Sequence, residues 1–151
     1  MPTPAGSPLP DVELYHDVEK VLGLALAARL LPFLDRADST LPADLEDVLP
    51  FVQVVRYGGH DDGVTDRAGV DVDWFALTRS AAIDLARRGH QYLTSGPIAY
   101  GGYLIDQVTT VVGVVERPRE QRSRQQMGGS ATSDVQRFGG SYTVNARRVR
   151  A

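Results

Sequence analysis

Two hydrophobic periods organise the chain. Between residues 11 and 31 apolar side chains recur at helical spacing, as Leu14, Val18, Val21, Leu22 and Ala25. Asp11 stands where a helix cap belongs, Glu13 and Asp17 suit the positive end, and Pro32 stops the helix. Leu24 and Leu26 fall off the stripe, so this helix is expected to be covered on more than one side. A connector over 33–49 follows, with Asp44, Glu46 and Asp47 and room for one helical turn near 43–48. The period then changes to two. Residues 51–57 are apolar on both faces, which predicts a central strand. Residues 68–77 alternate: Val70, Val72, Trp74 and Ala76 face the core, while Asp71, Asp73 and Phe75 face water or a partner. Thr78 caps a second helix whose buried stripe is Ala82, Leu85, Ala86, Gly89 and Leu93. Side chains this small predict a helix lying close to the sheet, and Gly96-Pro97 ends it. Strands return over 103–115, with Gly113 as a bulge, and over 136–149, with Phe138, Tyr142, Val144 and Ala146 on one face. The order α-β-β-α-β-β predicts an α+β fold, a four-stranded and mostly antiparallel sheet with the helices packed on one face.

The flanking and linking segments have other compositions. Residues 1–10 hold four prolines and read as a flexible arm. Residues 11–151 read as a single domain, interrupted at 117–136 by a polar, arginine- and glycine/serine-rich stretch expected to be a long mobile loop. At 151 residues the chain buries a real core. Without cysteine it has neither disulfides nor thiolate metal sites, which suits an intracellular protein. No apolar run is long enough to span a bilayer, and the N-terminus lacks the basic-then-apolar pattern of a signal peptide. Charge divides by halves. Residues 1–73 carry 14 acids and 5 bases, residues 74–151 carry 5 acids and 11 bases. Either the halves interleave and neutralise each other, or one copy's acidic surface meets another's basic one.

Few polar groups cluster as chemistry would need. Gly58-Gly59-His60-Asp61-Asp62-Gly63 offers metal-competent ligands, and a small metal-dependent enzyme using His60, Asp61 and Asp62 is one reading. The same residues suit a hairpin turn, the reading the composition favours. His16, His60 and His90 belong to no common motif, no nucleophile elbow is present, and Lys20 does not follow a glycine turn. Asp71 and Asp73, on one strand face, fit three roles: a solvent face, a contact with arginines of a neighbouring strand or subunit such as Arg147 or Arg148, or acid–base work. Arg117, Arg119, Arg122 and Arg124 fit a solvated loop, a segment ordered on a protein partner, or a contact with DNA. Glu116 and Glu120 dilute that positive charge, and no aromatic interleaves to stack on a base. No cofactor is implied.

Taken in order, these pieces resemble the tail terminator proteins of long-tailed (siphovirus-type) actinobacterial phages. The likeness runs from Leu49-Pro50-Phe51-Val52-Gln53-Val54-Val55-Arg56-Tyr57-Gly58-Gly59, through Asp66-Arg67 and Val70-Asp71-Val72-Asp73, to Ala76-Leu77-Thr78-Arg79-Ser80-Ala81-Ala82 and on to Leu93. It resumes at Ser95-Gly96-Pro97, Ile105-Asp106-Gln107-Val108-Thr109-Thr110, Arg137-Phe138 and Tyr142-Thr143-Val144, covering about two-thirds of the chain. The proline-rich arm and the arginine-rich stretch at 117–136 depart from the family pattern. The resemblance implies a structural α+β subunit without catalysis. It would assemble with itself into a ring, typically a hexamer, in the virion at the head–tail junction. That ring would cap the major tail tube protein, present its far face to a head-completion or connector protein, and pass DNA through its hole. The candidate contact residues are then Asp71, Asp73, Arg117, Arg119, Arg122, Arg124, Arg147 and Arg148. Another head–tail joining or minor tail protein with a similar fold is the nearest alternative.

Overall fold

The computed structural model describes residues 10–31, 34–61, 65–100, 102–117 and 135–148. Two helices, α1 (Pro10–Leu30) and α2 (Arg79–Thr94), pack against a six-stranded sheet. Its strands are β1 (Ala37–Asp38), β2 (Phe51–Asp61), β3 (Asp66–Ala76), β4 (Ile98–Tyr100), β5 (Tyr103–Glu116) and β6 (Gln136–Arg148). In space the order is β1-β2-β3-β6-β5-β4. Every pairing is antiparallel except β1 with β2, which is parallel. The α+β class and the four long strands agree with the hydrophobic pattern. The sheet is wider than expected, because the two- and three-residue strands at its edges are too short to show a period.

α1 buries Val18, Val21, Leu22, Ala25, Leu26 and Ala27. Leu26 and Ala27 widen the predicted stripe, as expected of a helix touched by β2, the β1 segment and α2. The helix starts at Pro10, where a missing N–H costs nothing, rather than at a cap on Asp11. Residues 1–9 of the expected arm lie outside the described residues. Thr78 caps α2: its side-chain oxygen accepts from Ala81 N at 3.1 Å. The face of α2 that meets the sheet is Ala82, Ala86, Gly89 and Leu93, with Leu85 half-buried. Gly89 is what permits the close approach. A Cβ there would stand 2.5 Å from Trp74 Cζ2 and 2.8 Å from both Cε2 and Nε1. Trp74 itself is 1% exposed and anchors the main core with Val52, Val54, Val70, Val72, Phe138, Tyr142 and Val144.

The opposite face of the sheet carries a second, smaller core. Leu45, in a short 3-10 turn (Leu45–Asp47), packs with Phe51, Phe75 and Val135, and Leu41, Val48 and Leu49 lean on them. The connector therefore folds over one end of the face that the alternation left open, and Phe75 is buried rather than wet. Two further expectations change. β2 is not central; among the described residues it meets only β3 along its length, plus β1 at Val52 and Gln53. Its apolar outer face is explained by the second core. Gly58, Gly59, His60 and Asp61 also belong to β2, paired with Gly69, Ala68, Arg67 and Asp66. Asp62 and Gly63, the rest of the expected turn, lie outside the described residues. The central strands are β3 and β6, one from each half of the chain, so the two unequal charge distributions are interleaved.

Candidate functional site

Pairing of β3 with β6 sets Asp71 opposite Ser141 and Asp73 opposite Gly139. Directly opposed residues share a face, here the one away from the helices. Gly139 matters because a Cβ at that position would overlap the Asp73 carboxylate. The carboxylate lies flat in the space and is closed over by two arginines. Arg137, on β6, donates to Asp73 Oδ2 at 2.8 Å. Arg117, just past β5, brings Nε to 3.0 Å from Asp73 Oδ1. That contact is coulombic, since neither atom is aligned for a hydrogen bond. A second Arg117 nitrogen donates to Ser141 Oγ at 3.1 Å and lies 3.7 Å from Asp71. Ser141 in turn donates to Asp71. The Arg137 guanidinium also stacks 5.5 Å above the Phe75 ring, joining this cluster to the second core.

Asp73 is thus a buried carboxylate, its side chain 3% exposed. Burial pushes its pKa above the ordinary aspartate value, while the hydrogen bond from Arg137 and the charges of Arg137 and Arg117 pull it back. Such a group holds structure. It is held within its own chain by Arg137 and Arg117, which removes it from the wet face on which the alternation placed it. Asp71 is half-buried and bound to Ser141, leaving less of it for a partner than expected. Among the described residues the arginines that meet them are Arg117 and Arg137. Arg147 pairs instead with Asp106 across the sheet edge at 3.1 Å, in the open. Arg119, Arg122 and Arg124 lie outside the described residues, as does the side chain of Arg148 and most of the stretch 117–136. At its ends that stretch meets the sheet: Gln136 opens β6, and Arg117 N donates to Arg137 O at 2.9 Å.

The exposed feature of this region is β5. Its register with β6 slips between Ile105 and Gln107, between Thr110 and Val112, and between Val112 and Val115, the last slip containing Gly113. β4 pairs only with Tyr103, Leu104 and Ile105. Beyond Ile105, no strand among the described residues borders the outer edge of β5. Val111, Val112 and Val115 are 58%, 44% and 46% exposed. Val112 and Val115 sit opposite Ser141 and Gly139, on the same face as the two aspartates. From Gln107 to Val115 the strand has no charged residue.

His60 is exposed on β2, and the described residues bring no three His, Asp or Glu side chains into a metal-binding group. His90 does meet a buried group: its Nδ1 lies 2.8 Å from the Tyr142 hydroxyl, whose pKa burial pushes up to about 12. A groove between α1 and β1, lined by Glu19, Lys20, Leu24, Asp38 and Ser39, presents mixed charge around its mouth. No described helix is long and apolar enough to cross a membrane. No protein-family model matches the chain, and no curated protein matches it in sequence.

Sequence reasoning missed Arg137, Gly139 and Ser141, and it singled out none of the exposed valines of β5. One signal was available. Gly139-Gly140 inside a strand is costly unless something lies close against it.

Proposed function

We propose that this chain is a structural, ring-forming subunit of a phage tail, a tail terminator that caps the tail tube, stops its polymerisation and offers a docking face for the head. The observation that carries the reading is the outer part of β5, an uncharged, valine-bearing strand with a free edge among the described residues. An exposed, long, apolar edge is a liability to a protein that stays alone and an asset to one that pairs.

Topology supports repetition of the pairing. β2 and β5 are the outermost long strands, and they run in opposite directions, because three antiparallel steps separate them. Past Gln53, the outer edge of β2 is also free among the described residues. Copies related by rotation about an axis along the strands would set the β5 of one beside the β2 of the next, antiparallel. Such a contact joins unlike surfaces, and unlike surfaces close a ring when the rotation divides the circle. Six copies is the number that the resemblance implies. A closed ring on a tube end buries the surfaces that would recruit the next tube protein and shows a different far face. The observed α+β fold, with two antiparallel strands and a helix in succession over residues 51–94, is consistent with the family whose residues the chain resembles.

Electron microscopy and sedimentation of the purified protein, alone and with tube ends, test the reading. Rings with a central hole are the expected result. Val112→Lys with Val115→Lys should abolish them while leaving unfolding within about 0.5 kcal/mol of the parent, since both side chains are exposed. A protein that stays monomeric both in solution and on tube ends, or rings indifferent to those two lysines, would refute it.

A further inference from the structure

The geometry points to Asp73 as a latch: one carboxylate at the middle of the sheet ties down both ends of the connection between β5 and β6, and losing its charge releases them without unfolding the sheet. The two arginines that hold Asp73 are the residues at the departure and return of that connection, Arg117 after β5 and Arg137 at the start of β6. They are 20 positions apart in sequence and share one acid from a strand more than 40 positions earlier. The inference stands apart from the tail-terminator reading and needs no partner.

Three features make the junction a latch rather than a uniform part of the core. It is unsaturated: Asp73 Oδ1 and the Nε atoms of Arg117 and Arg137 are buried without a hydrogen bond. It is at the margin: the two guanidinium side chains remain 20% and 25% exposed, so water reaches them when they let go. It is separate from the main core: Asp73 lies on the face away from the helices, held open by Gly139. The charges that act on Asp73 are Arg137 from β6, Arg117 from the end of β5 and Asp71 from β3 itself, and β2 presents the neutral Gln53 at the paired position. Burial already favours the neutral acid here. Protonation therefore relieves a desolvation cost while removing the counter-charge of both arginines. By linkage, a carboxylate whose folded pKa is raised does not lose folding stability as pH falls through that pKa. The opening is local: Asp73 stays in the sheet while the two arginines that lower its pKa withdraw, so the open form has the higher pKa and proton uptake favours it.

Hydrogen exchange resolved by residue tests this on the full chain. In Asp73→Asn the Arg117 amide, which donates to Arg137 O, should exchange about tenfold faster or more, the loss expected for one charge-assisted hydrogen bond. Amides of β2 and β3, such as Val54 and Val72, should not change. In the parent, exchange at Arg117, corrected for the intrinsic rate, should rise as pH falls from neutral towards the ordinary aspartate range, above which the Asp73 pKa lies, and Asp73→Asn should flatten that rise. Unchanged exchange at Arg117 in Asp73→Asn overturns the latch. So does acceleration of all strands together, which would make Asp73 a general stabiliser, or a pH response that persists in Asp73→Asn.

Discussion

Replacing Gly89 with alanine should weaken this protein, against the usual effect of that change in a helix. At an unconstrained helical site Gly→Ala gains about 1 kcal/mol. Here the new methyl would sit 2.5 Å from Trp74 Cζ2 and 2.8 Å from two other indole atoms. Carbon atoms rest at about 3.5–4.0 Å, so the helix or the indole must retreat by roughly 1 Å. The indole is held by the main core and is 1% exposed. The helix is held by Ala82, Ala86 and Leu93, whose contacts would loosen as it lifts. Overpacking of this kind costs about 1–3 kcal/mol. Set against the propensity gain, and with the rigid ring favouring the upper half of that range, the net loss should be about 1–2 kcal/mol. Guanidinium unfolding followed by circular dichroism measures it, and the fluorescence of the only tryptophan reports the local change. A second background isolates the cause. In Trp74→Phe the fused ring that carries Cζ2, the nearest clashing atom, is absent, so Gly89→Ala should cost at least about 1 kcal/mol less there than in the parent, a coupling of ordinary size for touching residues. Should Gly89→Ala stabilise the parent, or cost the same in both backgrounds, the close approach of α2 to Trp74 is not the reason for the glycine.

Two other changes probe separate parts of the fold. Arg56 and Asp66 form a bidentate pair at 2.5 and 2.7 Å with side chains 8% and 7% exposed. Asp66→Ala, which strips a buried guanidinium of its carboxylate, should cost about 3–5 kcal/mol in urea unfolding, and replacing both residues with apolar ones should cost less. Tyr142 supplies a pH signature. Its folded pKa, about 12, lies above the ordinary 10, so its contribution is complete below pH 10 and is lost as pH rises from 10 through about 12. Alkaline unfolding of Tyr142→Phe should lack that part of the decline.

How far the structure could be read from the chain follows from which interactions set each element. The long strands and α2 follow from side-chain alternation and a threonine cap, which are local, and residues such as Val70, Trp74, Phe138 and Val144 are buried as the alternation requires. Even the closeness of α2 was visible in Ala82, Ala86 and Gly89. β1 and β4 exist because Ala37 and Ile98 lie beside strands already formed, and two or three residues cannot carry a period. The glycines at 58 and 59 looked like a turn but continue β2 past an irregularity at Arg56 and Gly58, because pairing with β3 extends to Asp61. The aspartates were misread for a deeper reason. Alternation says which face a side chain takes, not what covers that face. The cover of Asp73 comes from Arg117 and Arg137, 44 and 64 positions away, and from a connector without periodicity. The proposed function rests on a resemblance and on the exposed surface of β5, which alternation alone could not set apart from buried strand.

The place of β6 in the sheet has a consequence for how the chain is made. Residues 136–148 lie between β3 and β5 and supply both with a neighbour. Until a ribosome has released that stretch, residues 66–76 lack one flank and residues 103–116 have only the short β4 beside them. Closing these distant pairings is slow in general. A nascent chain stalled before residue 136 would thus show water two bare strand borders, one of them the uncharged run from Gln107 to Val115, which makes the interval before β6 emerges a time of high risk of clumping.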